Sequence, residues 1–115
     1  MARKSSSTKF EIMATFKDVI SGEKPVLIDF YADWCAPCKM MPPILKEVKN
    51  QLGDDVKIVK INTETNQQLS ANFGIRSIPT LMLFHNGKEV WRQAGVLQAS
   101  QIVEIIKDKT SIHIK

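Results

Sequence analysis

Apolar residues recur along the chain in two alternating periods, and the alternation already outlines a fold. From Ile12 the apolar positions Ile12, Phe16, Val19 and Ile20 fall at i, i+4, i+7 and i+8, one face of a helix, which Ser21-Gly22 ends. Pro25 to Tyr31 is a short continuous apolar run of β-branched and aromatic residues, the pattern of a central strand covered on both faces. After Trp34-Cys35-Ala36-Pro37-Cys38 the spacing predicts a helix to about Leu52, with Met41, Ile44, Leu45, Val48 and Leu52 on one face and Gly53 as its stop. Pro42-Pro43 falls inside that pattern and predicts a kink about two turns in. Residues 56–61 read as a second strand, largely apolar on both faces and therefore expected to be covered on both.

A polar helix from about Glu64 to Phe73 follows, stopped by Gly74. Strands at 79–84 and 88–94 flank His85-Asn86-Gly87, where Asn-Gly is a strong hairpin signal. The last helix, about Gln98 to Lys109, is expected to bury Ile102, Val103, Ile105 and Ile106. This order of elements predicts an α/β fold: a mixed sheet with a parallel part and an antiparallel edge hairpin, and helices on both faces.

Length and composition fit this picture. At 115 residues, 43% apolar and 24% charged, the chain suits one domain with its own core. The expected layout is a disordered basic leader at 1–9, a domain over 10–109 and a short tail at 110–115. No run free of polar residues and proline exceeds four residues, as at Leu81 to Phe84, far short of the roughly 20 residues of a membrane span, so no membrane partner is expected. No export signal is expected either, because no apolar stretch follows Arg3 and Lys4.

The net charge of +4 raises the question of nucleic acid, but +3 of it lies in residues 1–9 and +2 in residues 107–115, leaving −1 on the body. Without clustered cations interleaved with aromatics, no nucleic-acid partner is expected.

The candidate chemistry lies in Cys35-x-x-Cys38, at the end of the buried strand and the start of a helix. A helix N-terminus favours a thiolate through its free N–H groups and partial positive charge, which makes Cys35 the low-pKa nucleophile. Cys38, one turn deeper and expected to be less exposed, is the resolving thiol. Half a zinc site is a poor alternative, since His85 and His113 fall in a turn and a tail. A purely structural disulfide over two residues closes too short a loop to stabilise much. Trp34 suits a rim position where water serves its N–H, and Met40 and Met41 read as core or rim filler. Asp29 is the exception in its strand. A carboxylate buried there should have a raised pKa, and such a group can act as general base when Cys38 must lose its proton.

Residues 25–48, which contain Asp29 and the Cys-x-x-Cys pair, closely resemble the active-site segment of the thioredoxin family. Gly74 to Thr80, and Phe84 to Gly87 with Gly95, resemble two further motifs of that family, and the resemblance spans about residues 10–108. It implies a thioredoxin-like fold in which Pro79 is cis and faces the cysteines and Lys60 approaches Asp29. It also implies a substrate-contacting rim of Trp34, Ala36, Pro37, Ile78, Pro79, Gly95 and Val96. The implied activity is reduction of protein disulfides by a cytoplasmic monomer that binds no cofactor. Its electrons would come from NADPH through a thioredoxin reductase, and its partners would be that reductase and disulfide-containing clients. Ala36, Tyr31 and Ser77 depart from the usual residues, and the family's first strand is short or missing. Two alternatives stay open at this point: a disulfide oxidase or isomerase of an oxidising compartment, and a docking module that works independently of redox state.

Overall fold

The computed structural model describes residues 9–111, with the backbone alone at 9 and 10; the expected leader and tail lie largely outside this range. Its elements are α1 (Lys9–Ile20), β1 (Val26–Tyr31), α2 (Met41–Leu52), β2 (Lys57–Asn62), α3 (Gln67–Asn72), β3 (Thr80–His85), β4 (Lys88–Ala94) and α4 (Ala99–Thr110). The first helix starts at Lys9, inside the stretch expected to be leader.

The sheet runs β2-β1-β3-β4, with β1 and β2 parallel and the other neighbours antiparallel. Period-two alternation sorts the side chains into two layers. Leu27, Leu81 and Leu83 pack with Met41, Leu45 and Val48 of α2 and Ile102 and Ile106 of α4. Val26, Ile28, Phe30, Met82 and Phe84 pack on the other face with Phe16 and Ile20 of α1 and Leu69 of α3. Both faces are thus covered by helices, as the pattern predicts. Asn86 and Gly87 both have positive φ, 55° and 80°, the pairing that a two-residue hairpin of matching twist requires.

Three expectations need correction, and a fourth holds with a difference. β2 is covered on both faces as expected, with Ile58 packed on one layer and Val59 and Ile61 on the other, but among the described residues it is the sheet edge, with Lys57 and Lys60 exposed. The proline pair does not kink a continuous helix. A 3-10 turn over Pro37–Met40 comes first, and Pro42 and Pro43 fall in the first turn of α2, where a missing N–H leaves no helical bond unmade. The polar helix begins only at Gln67, because Asn62 organises a turn ahead of it: its Oδ1 accepts from Glu64 N–H at 2.8 Å and its carbonyl from Asn66 Nδ2 at 3.0 Å. In α4, Ile102, Val103 and Ile106 are buried as expected, but Ile105 is only half-buried.

Candidate active site

Cys35 and Cys38 are joined by a disulfide with Cα atoms 5.3 Å apart. The loop leaving β1 delivers Cys35 just before the 3-10 turn: Cys35 N–H donates to Ala32 O at 3.2 Å, and Ala36 caps the turn that contains Cys38. The Cys38 N–H then donates to Cys35 Sγ at 3.1 Å. A donor aimed at this sulfur favours its thiolate once the disulfide opens. The two cysteines do not differ in exposure as expected, with Cys35 at 3% and Cys38 at 5%. Their asymmetry lies in polar contacts instead, since the backbone donor points at Cys35 and Ile78 O also lies 3.7 Å from its sulfur.

The second wall is the segment between α3 and β3. The Ile78–Pro79 peptide is cis, and Ile78 packs with Ala32, Cys35 and Cys38. This segment is held at several points. Arg92 Nη1 donates to Phe73 O at 2.6 Å, Thr80 Oγ1 to Ser77 O at 2.6 Å, and Gly95 N–H to Pro79 O at 2.8 Å. Gly95 makes its bond with φ at 97°, where a side chain would be strained. Trp34 is 69% exposed and Met40 55%, the two large apolar residues in open solvent among the described residues, while Met41 is buried. Ala36 and Pro37 are also exposed, Val96 is half-buried against the α2/α4 layer, and Trp91 packs on the same layer as a sheet-face residue.

Asp29 is fully buried and neither carboxylate oxygen has a hydrogen-bond partner among the described residues. Burial raises its pKa from 3.8 to about 6, and the charge of Lys60 partly opposes the rise. Lys60 is its cross-strand partner by register, so it approaches Asp29 as expected, but without a direct bond. The ammonium sits over the Tyr31 ring, 5.0 Å from its centroid, and no ion pair with Asp29 forms. Tyr31 is the residue that sequence reasoning passed over. The available signal was an aromatic two positions from a buried acid and, by register, two positions from a lysine. Among the described residues no group of three or more His, Cys, Asp or Glu could hold a metal ion, and no helix is long and apolar enough to cross a membrane.

A redox-competent pair between two loops, beside a strand carrying a buried acid, is matched by the comparisons with known proteins. The family model named Thioredoxin matches residues 7–108. A thioredoxin from Haemophilus influenzae is 47% identical over 88 residues, covering 76% of this chain and 82% of its own. Thioredoxin Y, chloroplastic, from Oryza sativa subsp. japonica is 40% identical over 105 residues, covering 90% of this chain and 62% of its own. The solved structure of a point-mutant thioredoxin from Halobacterium salinarum superposes with a TM-score of 0.77 at 35% identity, covering 87% of each chain. The chain belongs to the thioredoxin family. It is a protein-disulfide oxidoreductase that works by dithiol–disulfide exchange through its Cys-x-x-Cys pair.

Proposed function

We propose that the protein runs this exchange in the reducing direction, in the cytoplasm, as a monomer without bound cofactor. A thioredoxin reductase drawing on NADPH would return it to the dithiol. The observation that carries the division of labour is the Cys38 N–H bond to Cys35 Sγ at 3.1 Å, which singles out one sulfur of two equally buried ones for thiolate stabilisation. In the dithiol, the Cys35 thiolate attacks a client disulfide; a Cys35–client bond forms and one client thiolate leaves. Cys38 then gives its proton to Asp29, directly or through one water, and attacks Cys35 Sγ. The second client sulfur departs and takes up a proton, and two electrons have passed from the cysteine pair to the client.

Asp29 suits the base because its pKa lies near neutrality and it sits on the sheet face that packs against α2, the helix following Cys38. Lys60 limits the rise of that pKa. Trp34, Ala36, Pro37, Ile78, Pro79, Gly95 and Val96 are the proposed client-contacting rim, with the backbone of Ile78 offered to an extended client segment.

Trapping tests the roles. Cys35→Ser should abolish turnover of a protein disulfide, whereas Cys38→Ser should accumulate a client mixed disulfide through Cys35. Equal trapping by the two variants overturns the assignment. Equilibration with glutathione tests the direction: a potential near −270 mV, roughly that of a reductant of this family, is expected, and one at about −180 to −120 mV assigns the protein to oxidation or isomerisation.

A further inference from the structure

Folding brings together a charge cluster that the sequence disperses. Lys24 from the loop before β1, Lys46 and Lys49 from α2, and Lys57 and Lys60 from β2 line one open groove of about 450 Å³. Its floor is apolar, made by Leu45 and Ile58, and no carboxylate among the described residues lines it. Glu23, Glu47, Asp54 and Asp55 neighbour these lysines along the chain, but none of them belongs to the lining, and Glu47 accepts instead from Gln51 Nε2 at 3.1 Å. Nor is any of the five lysines in an ion pair with a described residue. Lys49 and Lys57 are turned to backbone carbonyls, at 2.6 Å to Val56 O and 3.4 Å to Val19 O, and Lys60 lies over Tyr31. Lys24 and Lys46 have no partner among the described residues.

Five like charges around one groove repel one another within a screening length of about 8 Å at physiological salt, so an anionic occupant both relieves repulsion and gains attraction. The character of the groove narrows the occupant. No aromatic lines it, so a nucleobase has nothing to stack on, and its apolar floor offers nothing to a phosphate backbone. Being open, it would leave a lipid chain in water. We propose that the groove docks an acidic segment of a partner polypeptide in which carboxylates alternate with apolar side chains, the acids meeting the lysine rim and the apolar groups the Leu45–Ile58 floor. The site does not depend on the direction of electron flow at the cysteines, and it is tested without them.

The probe is a synthetic peptide of alternating glutamate and leucine, compared with its glutamine counterpart and with a single-stranded oligonucleotide of equal charge. Each is titrated into isotope-labelled protein while amide resonances are followed. The acidic peptide is expected to shift Lys24, Lys46, Lys49 and Ile58, with the glutamine peptide binding at least about tenfold more weakly. Lys24→Glu with Lys46→Glu should weaken the acidic peptide by a similar factor and leave reduction of a small disulfide reagent unchanged, which reports an intact fold. Raising the salt on the parent protein should weaken the same complex. No shifts, shifts confined to the Trp34 rim, equal binding of the glutamine peptide, or tighter binding of the oligonucleotide would each overturn the proposal.

Discussion

Val26, Ile28 and Phe30 project from β1 into the layer made with α1 and α3, while Leu27 and Asp29 project towards α2 and α4. Among the described residues the first layer carries no buried charge and is aromatic at its centre: Phe16 meets Phe73 and Phe84 with ring centroids 5.0 and 5.3 Å apart. The second contains a fully buried carboxylate with no hydrogen-bond partner among the described residues. Six consecutive residues therefore serve two ends. One face of the strand maximises burial, and the other accepts a destabilising group on the strand that leads into the redox pair. An unfavourable residue is tolerated where the opposite face of the same strand is well packed.

The largest effect should come from damaging the aromatic layer. Phe16→Ala removes a ring that is 3% exposed and should destabilise the fold by about 3–5 kcal/mol in denaturant titration, while the folded fraction keeps its turnover rate. A variant that stays stable but loses activity would show that the two layers do not divide as described.

Asp29→Asn sharpens the contrast from the other side. Because the folded pKa lies above the unfolded one, both states hold the proton below a pH of about 4. Between about 4 and 6 the unfolded chain ionises first and the fold loses stability, and above about 6 the loss is complete. At 1.36 kcal/mol per unit the loss amounts to roughly 3 kcal/mol, which the parent should show between pH 3 and 8 and the variant should lack. Turnover of a protein disulfide should fall in the variant. An unchanged slope of stability against pH would mean that Asp29 does not titrate in this range.

Tyr31 supplies the finest test. A cation over an aromatic ring at an exposed site is worth about 0.5–1 kcal/mol, so Tyr31→Leu should free the Lys60 ammonium to approach Asp29 and lower its pKa by roughly half a unit. Tyr31→Phe keeps the ring and should leave the carboxyl resonance titrating where it does in the parent. If the two variants titrate alike, the ring does not hold the lysine.

Much of this was legible in the chain. Asp29 stood out because the run around it is otherwise apolar, and the cysteines because a strand leads into them and a helix pattern leads away. What stayed hidden depends on distance in sequence. The edge position of β2 is set by which strands pair, not by the residues of β2, whose apolar residues on both faces suit a central strand as well. The placement of Pro42 and Pro43 depended on a 3-10 turn that only the packing of Cys38 and Met41 decides. Lys60 could be matched to Asp29 by family likeness, but its seat on Tyr31 required the strand register. The lysine groove draws on three separate segments, each balanced locally by acids, so no window of sequence looks basic.

The hydrogen bonds that pin the Ile78–Pro79 segment bear on the choice of client. A wall fixed by Arg92, Thr80 and Gly95 has little freedom left to lose when a client arrives. If clients dock on the proposed rim, the adaptation in the encounter falls on the other molecule, which must extend a stretch of chain across it to bring its disulfide to a buried sulfur. Disulfides in hinges and loose termini can do so at once. Those locked inside a close-packed domain become available only when that domain opens locally. On the proposed rim, the rigidity of this one segment would make the oxidoreductase a reader of mobility in its clients, selecting a bond by the slack around it more than by the residues beside it.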